Sequence, residues 1–276
     1  MLKSLLVVLD VTQASVSAAV LARELAVGSK ALLQGLVIVD PWIVAPPEPT
    51  PMGAGAYKEH KDLTLMEHAR HSGAALAQQF SDSCFAQGLS AAAHLVEGDV
   101  CESLIHASGP HDVIVLGCDA SFGGKPTAPS PYISELLRDN PRPLIVTPEN
   151  PNHGARTLVA YDGSIPSMRA LQLFCALQLR CNEEAVVVSI NPDNALATGL
   201  AEQGAAFMCA RGYSARAKAI ASAVDVSDAL VSEVTGAGAG MVVAGAYGHR
   251  GFRQWLLGAT TEELIAQCPA PLFIHH

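Results

Sequence analysis

The sequence predicts an α/β protein built as two tandem, doubly wound, parallel five-stranded sheets. Three observations carry this. Short apolar runs alternate with helix-length segments along the whole chain, the pattern of parallel strands joined by helical crossovers. The apolar runs are continuous rather than alternating, as strands buried on both faces require. And the chain repeats itself: Val113-Ile114-Val115-Leu116-Gly117 is similar to Met241-Val242-Val243-Ala244-Gly245, and Pro143-Leu144-Ile145-Val146 to Pro271-Leu272-Phe273-Ile274, at a constant offset of 128. Self-similarity on this scale implies duplication of a complete unit.

Each copy reads β-α-β-α-β-α-β-α-β. In the first, Ser4–Leu9 gives the opening strand, which ends in Asp10, and an Ala-rich helix over 15–28 follows. Further strands are expected at 32–39, 89–96, 112–117 and 143–147. In the second, strands fall at 156–161, ending in Asp162, and at 184–190, 214–222, 240–244 and 271–274, with a helix over 164–179 after the first. Asp99 and Asp225 stand at matching places, each placed to cap a short helix. Gly236–Gly240 precedes a strand and reads as a tight helix-to-strand turn rather than a dinucleotide fingerprint. Pro, Asn and Gly over 147–154 mark a linker, dividing the chain into domains 1–149 and 150–276. Only the first copy carries the Pro- and Gly-rich stretch 41–57, expected to be an extended excursion: a solvated loop, or else a lid or partner contact.

Composition narrows the function. The 276 residues are 50% hydrophobic, 16% charged and 5% aromatic, so the core is aliphatic. Net charge is −9, with nine basic against sixteen acidic residues in 1–150 and eight against ten in the remainder. Neither half carries a basic face, which argues against nucleic-acid binding. The opening apolar run is too short for a signal sequence, and none reaches the roughly 18 residues of a membrane span. The expectation is a cytoplasmic protein. Seven cysteines, none in a C-x-x-C pair, read as reduced thiols; Cys118, just past a strand end, is the candidate for reactivity. His68 and His71 share a helix face, but no further ligand completes a metal site.

The segment Gly245-Ala246-Tyr247-Gly248, then nine residues, then Gly258-Ala259-Thr260, follows a buried strand and precedes a helix. Glycines there let backbone N–H groups approach an anion, and the helix start adds free N–H groups and a positive dipole end. This G-x2-G-x9-G spacing resembles the phosphate loop of the universal stress protein (UspA) family, and the chain is similar to a tandem member of it. The resemblance implies a Rossmann-like, adenine nucleotide alpha hydrolase-like fold. It implies a cytosolic stress-response regulator binding ATP, ADP or AMP, with Mg²⁺ accompanying a triphosphate, and no catalytic residues. It also implies pairing through the last strand of each copy, a pseudo-dimer within one chain, with a further homodimer of chains and unidentified protein partners.

Residue by residue, Gly245, Gly248 and Gly258 match the motif. Ala259 stands where the family has Ser, Thr or Asn. Thr260 is one place late and reads either as a phosphate contact or as a helix N-cap, with Glu263 completing a capping box. Arg250 or Arg253 could supply charge to the phosphates. Asp162 matches the aspartate the family places near the adenosine; the rival reading is an Asx-turn or helix cap by Asp162 or Ser164. Asn191 falls where main-chain groups read adenine. The first copy departs from the pattern: Gly117 aligns, but Ala120 and Ser130 replace the other glycines, and Pro131 removes an N–H donor. Gly124-Lys125 invites a P-loop reading that Asp119 and Pro126 defeat. No nucleophile motif is present in the sequence. Alternatives are a nucleotide-free scaffold, in which Ala259 marks a lost site, and a slow ATPase.

Overall fold

The computed structural model describes residues 1–49, 51, 53–221, 225–246 and 259–276. In the first half the elements are β1 (Ser4–Val8), α1 (Gln13–Ser29), β2 (Leu32–Val39), α2 (Pro41–Val44), α3 (Gly55–Ala86), β3 (Ala91–Glu97), α4 (Val100–Ser108), β4 (Val113–Gly117), α5 (Pro131–Asp139) and β5 (Leu144–Thr147). In the second they are β6 (Arg156–Ala160), α6 (Ile165–Leu177), β7 (Glu184–Ile190), α7 (Asn194–Cys209), β8 (Ser214–Ile220), α8 (Val226–Ala237), β9 (Met241–Gly245), α9 (Ala259–Gln267) and β10 (Leu272–His275). The expected strands all form, with ends shifted by a residue or two.

The strands make one ten-stranded sheet in the order β3-β2-β1-β4-β5-β10-β9-β6-β7-β8. Neighbours pair in parallel within each half, as helical crossovers demand. The two five-stranded halves join edge to edge through β5 and β10, which run antiparallel, with Phe273 opposite Ile145. The final strands of the two copies therefore do pair within the chain.

Each face of the sheet carries its own apolar layer, continuous across the joint. One layer takes Leu104 of α4, Leu136 of α5, Leu230 of α8 and Leu264 of α9. The other takes Leu21 of α1, Phe80 of α3, Phe174 of α6 and Met208 of α7. At the joint, Phe273 is fully buried and meets Phe174 edge-on at 5.4 Å. Few aromatics are needed because aliphatic strand residues interdigitate between the helices.

Local chemistry sets the helix starts. Thr12 caps α1, Asp99 caps α4 and Asp225 caps α8, each accepting a main-chain N–H two or three residues on. The two ends of the stretch 41–57 are helical, while its described middle residues carry no helix or strand. Asp40 caps the single turn α2 through Trp42 N–H at 2.8 Å, with Pro41 pre-set for the first helical position. Gly55 already begins α3. That helix has 32 residues and so is about 48 Å long. Its buried side is Met66, Gly73, Ala77, Phe80 and Cys84, so the helix runs about three turns before its first buried residue.

Candidate functional site

In each half the chain reverses direction across the sheet between the first and fourth strands, β1 and β4 or β6 and β9. The crevice at the carboxyl ends there is where ligands sit in doubly wound folds. Asp162 follows β6 and Gly245 ends β9, and the register Val159 opposite Val243 sets them on either side of the second crevice. Asn191 lies one strand further out, just past β7.

Asp162 and Ser164 both do local work. Asp162 Oδ1 accepts Ser164 N–H at 2.9 Å, closing an Asx-turn, while Ser164 Oγ caps α6 by accepting Ser167 N–H at 3.3 Å. Asp162 is half-buried, so its carboxylate is not sealed in the core. Asn191 donates its N–H to Ile220 C=O at 3.1 Å and accepts Asp193 N–H on its side chain at 2.9 Å. Asp193 in turn caps α7.

Gly245 has a steric reason to be glycine. A Cβ there would lie 2.4 Å from Ser167 N and 2.5 Å from Pro166 C, because the end of β9 presses on the first turn of α6. Gly117 repeats this in the first half, its Cβ falling 2.6 Å from Ser15 N. The next amide, Ala246 N–H, is bonded to His275 C=O at 2.8 Å. The first glycine of the motif thus admits a helix start to the crevice wall, and its neighbouring amide is spent on the sheet.

Gly248, Arg250 and Gly258, with Arg253, lie outside the described residues, as does the side chain of Ala259. Ala259 opens α9, so Thr260 sits inside the first turn and not at the cap expected for it. Nor does Glu263 reach back to complete a capping box: its carboxylate accepts the Ser227 hydroxyl from the neighbouring α8.

The first crevice is a different environment. Asp10 is buried and its Oδ2 accepts Ser121 N–H at 2.5 Å, Ser121 Oγ–H at 3.0 Å and Phe122 N–H at 3.0 Å. Ala120 and Ser130, which replace two glycines, are both buried, with Ser130 Oγ donating to Ala120 C=O at 2.7 Å. Asp10 is retained in sequence but is committed to its own chain.

Two further corrections concern titratable groups. Cys118 is 8% exposed, and burial, assisted by the negative charge of Asp119, pushes its thiol up to about 11, which keeps it protonated and unreactive. The exposed thiol among the cysteines is Cys209. His275, on which the sequence placed no role, ends β10 beside Gly245 in register, and its Nδ1 is buried without a hydrogen-bond partner. Burial, then the neighbouring His276 and Arg169, lowers its pKa to about 4. A lone His-His dipeptide carries no sequence signal for this; only the strand register does.

Among the described residues, no group of three or more His, Cys, Asp or Glu is arranged to hold a metal, and no helix is long and apolar enough to cross a membrane. A cavity of about 590 Å³ lies between α1, residues 149–155 and Arg180. It is bounded by Gly240 and Pro271, at the amino ends of β9 and β10, so it is separate from the second crevice.

Residues 155–276 match the sequence model of the Universal stress protein family. A universal stress protein of the Synechocystis strain PCC 6803 is 23% identical over 178 residues, which is 63% of this chain; the match spans only 61% of that relative's length. Among solved structures, a universal stress protein from Archaeoglobus fulgidus DSM 4304 superposes with a TM-score of 0.70 at 19% identity, covering 99% of this chain and 97% of that one. A functionally unknown protein from Pseudomonas aeruginosa PAO1 gives a TM-score of 0.58 at 15% identity, covering 99% and 92%. The second half of the chain thus matches the universal stress protein family model, and the whole chain shares its tandem α/β fold with solved structures.

Proposed function

We infer that this protein is a stress-response regulator that binds an adenine nucleotide, ATP, ADP or AMP, in the crevice of its second half. The reading takes residues 1–149 and 150–276 as two domains, of which the second is receptive. Asp162 would accept hydrogen bonds from ribose hydroxyls or the adenine amino group, and the main chain at Asn191 would meet the base. Gly248 and Gly258 would give the phosphates access to main-chain N–H groups, joined by the first amides of α9 at Ala259 and Thr260, while Gly245 lets the start of α6 form the wall beside them. Arg250 would supply charge, and Mg²⁺ would accompany a triphosphate.

The observation that supports this most is the placing of Asp162 and Gly245 on either side of the β6–β9 reversal, within the stretch that matches the family. Among the described crevice residues no base stands beside a nucleophile, and the reading is regulation by occupancy rather than turnover. Nucleotide would shift the population of a surface read by protein partners. The cytoplasm is the compartment proposed, and a homodimer of chains the assembly.

Titration calorimetry of the full chain with ATP and with ADP tests this. Binding at a Kd of about 10 μM would raise stability by about 2.7 kcal/mol at 1 mM ligand, and Gly248→Val should abolish it. No heat and no thermal shift at millimolar nucleotide would remove the proposal.

A nucleotide-free scaffold is the second reading. It is favoured by the purely steric role that Gly245 shares with Gly117, and by Ala259 in place of a hydroxyl residue. It requires that nucleotide-free protein and protein incubated with ATP bind partners alike.

A further inference from the structure

The two halves share a frame, but at the first crevice the chain folds into its own site. Asp10 and Gly117 flank the β1–β4 reversal as Asp162 and Gly245 flank the second. Asp10 offers two oxygens, about four acceptor positions. One oxygen takes the three donors of Ser121 and Phe122, and the other takes Val11 N–H at 2.7 Å.

The segment that the carboxylate holds also carries a buried ring. Phe122 is 3% exposed and stands edge-on to Tyr132 of α5, with centroids 5.1 Å apart at 84°. Its φ is +52°, a left-handed conformation uncommon for a bulky side chain. Such a backbone persists only where its surroundings over-determine it. Here the carboxylate fixes the two amides and an apolar slot fixes the ring. The loop is pinned at its far end, where Ser130 N–H donates to Cys118 C=O at 2.8 Å. α2 closes the outside: a Cβ on Gly124 would strike Ile43 Cγ2 at 2.9 Å.

The offset of 128 gives the comparison its chemistry, since Phe122 falls at the place of Arg250 in the second copy. Where one copy has a cation suited to an anionic ligand, the other has a ring suited to filling a hole.

We propose that Ser121–Phe122 is a built-in occupant of the first crevice, an amide-and-ring plug held by Asp10 that closes this half to ligands. The chain then presents one receptive crevice, not two. Opening the first would require Asp10 to exchange four donors of its own chain for water, and Phe122 to leave its slot. The choice of nucleotide as a probe rests on the function proposed above; the plug itself does not.

Hydrogen exchange read by mass spectrometry on the full chain tests it. In the unaltered protein the amides of 121 and 122 should exchange as slowly as those of β4. Asp10→Asn should speed exchange over 118–124 at least tenfold while leaving 113–117 unchanged. Phe122→Ala, which keeps the carboxylate, should give the same regional loss. Rapid exchange at 121 and 122 in the unaltered protein, or no change in either variant, overturns the plug. ATP at 1 mM should leave peptides covering 8–12 and 118–124 unaffected; protection there overturns it as well. Peptides covering 160–164 and 241–246 report the second crevice separately. Their failure to respond to ATP would defeat the nucleotide reading, while the two variants would still decide for or against the plug.

Discussion

The two aspartates that follow the first strands, Asp10 and Asp162, occupy matching positions and do different work. Asp10 is sealed in and satisfied by residues more than 110 positions away. Asp162 is half-buried and closes a turn two residues long. A duplicated motif residue can therefore be kept for opposite reasons. In one copy it is an internal strut; in the other it closes a local turn beside the β6–β9 reversal.

Removing both aspartates is the strongest way to sharpen that contrast. Asp10→Ala should destabilise the protein by about 4 kcal/mol, because it strands buried donors. Asp162→Ala should cost only about 1 kcal/mol, the worth of a local turn or cap. Urea denaturation of the two variants checks this, and equal losses would break the comparison.

The glycines give the opposite expectation, that the halves behave alike. Gly117→Ala and Gly245→Ala each drive a Cβ into the first turn of a helix, and each should cost about 3 kcal/mol from overpacking. If Gly245→Ala were to leave stability intact and weaken nucleotide binding alone, the steric account of that position would be wrong.

A pH titration separates the halves more gently. His275 has Thr147 as its counterpart in the first copy, so a titrating group stands at this place in one half only. Unfolded, His275 takes up its proton near 6.5; folded, only near 4. The unfolded state therefore binds more protons between these values, and stability present above pH 6.5 is lost as the pH falls towards 4. The denaturation midpoint should drop across that window, and His275→Leu should flatten the slope. The first half retains His111, whose pKa is likewise lowered, chiefly by burial, so some slope should remain.

The smallest effect is kinetic. A maleimide should label exposed Cys209 quickly in the native protein and spare Cys118 until unfolding. Cys118 reacting at a comparable rate would mean that the first crevice opens.

Much of the architecture was legible because it is written in local pattern. Continuous apolar runs mark strands buried on both faces, and Asp99 and Asp225 announce their helices within three residues. The offset of 128 exposes the duplication, while the pairing of β5 with β10 followed from the family resemblance. The candidate site was less legible because its determinants are not local. Nothing near Asp10 reveals that Ser121 and Phe122 will fill its crevice, and the glycine loss at Ala120 and Ser130 signals only departure from the motif. The steric need at Gly245 lies in Pro166 and Ser167, some 80 residues earlier. At the start of the stretch 41–57 the prolines hid a helical turn, which Asp40 and Pro41 together begin.

The antiparallel joint between β5 and β10 has a geometric outcome. Every other strand pair is parallel, so the carboxyl ends of the two halves lie on opposite rims of the common sheet. The two crevices open back to back, and no single small molecule can bridge them. Between them lie the shared register of Leu144–Val146 against Leu272–Ile274, three residue pairs buried on both faces, and the two apolar layers that run across it.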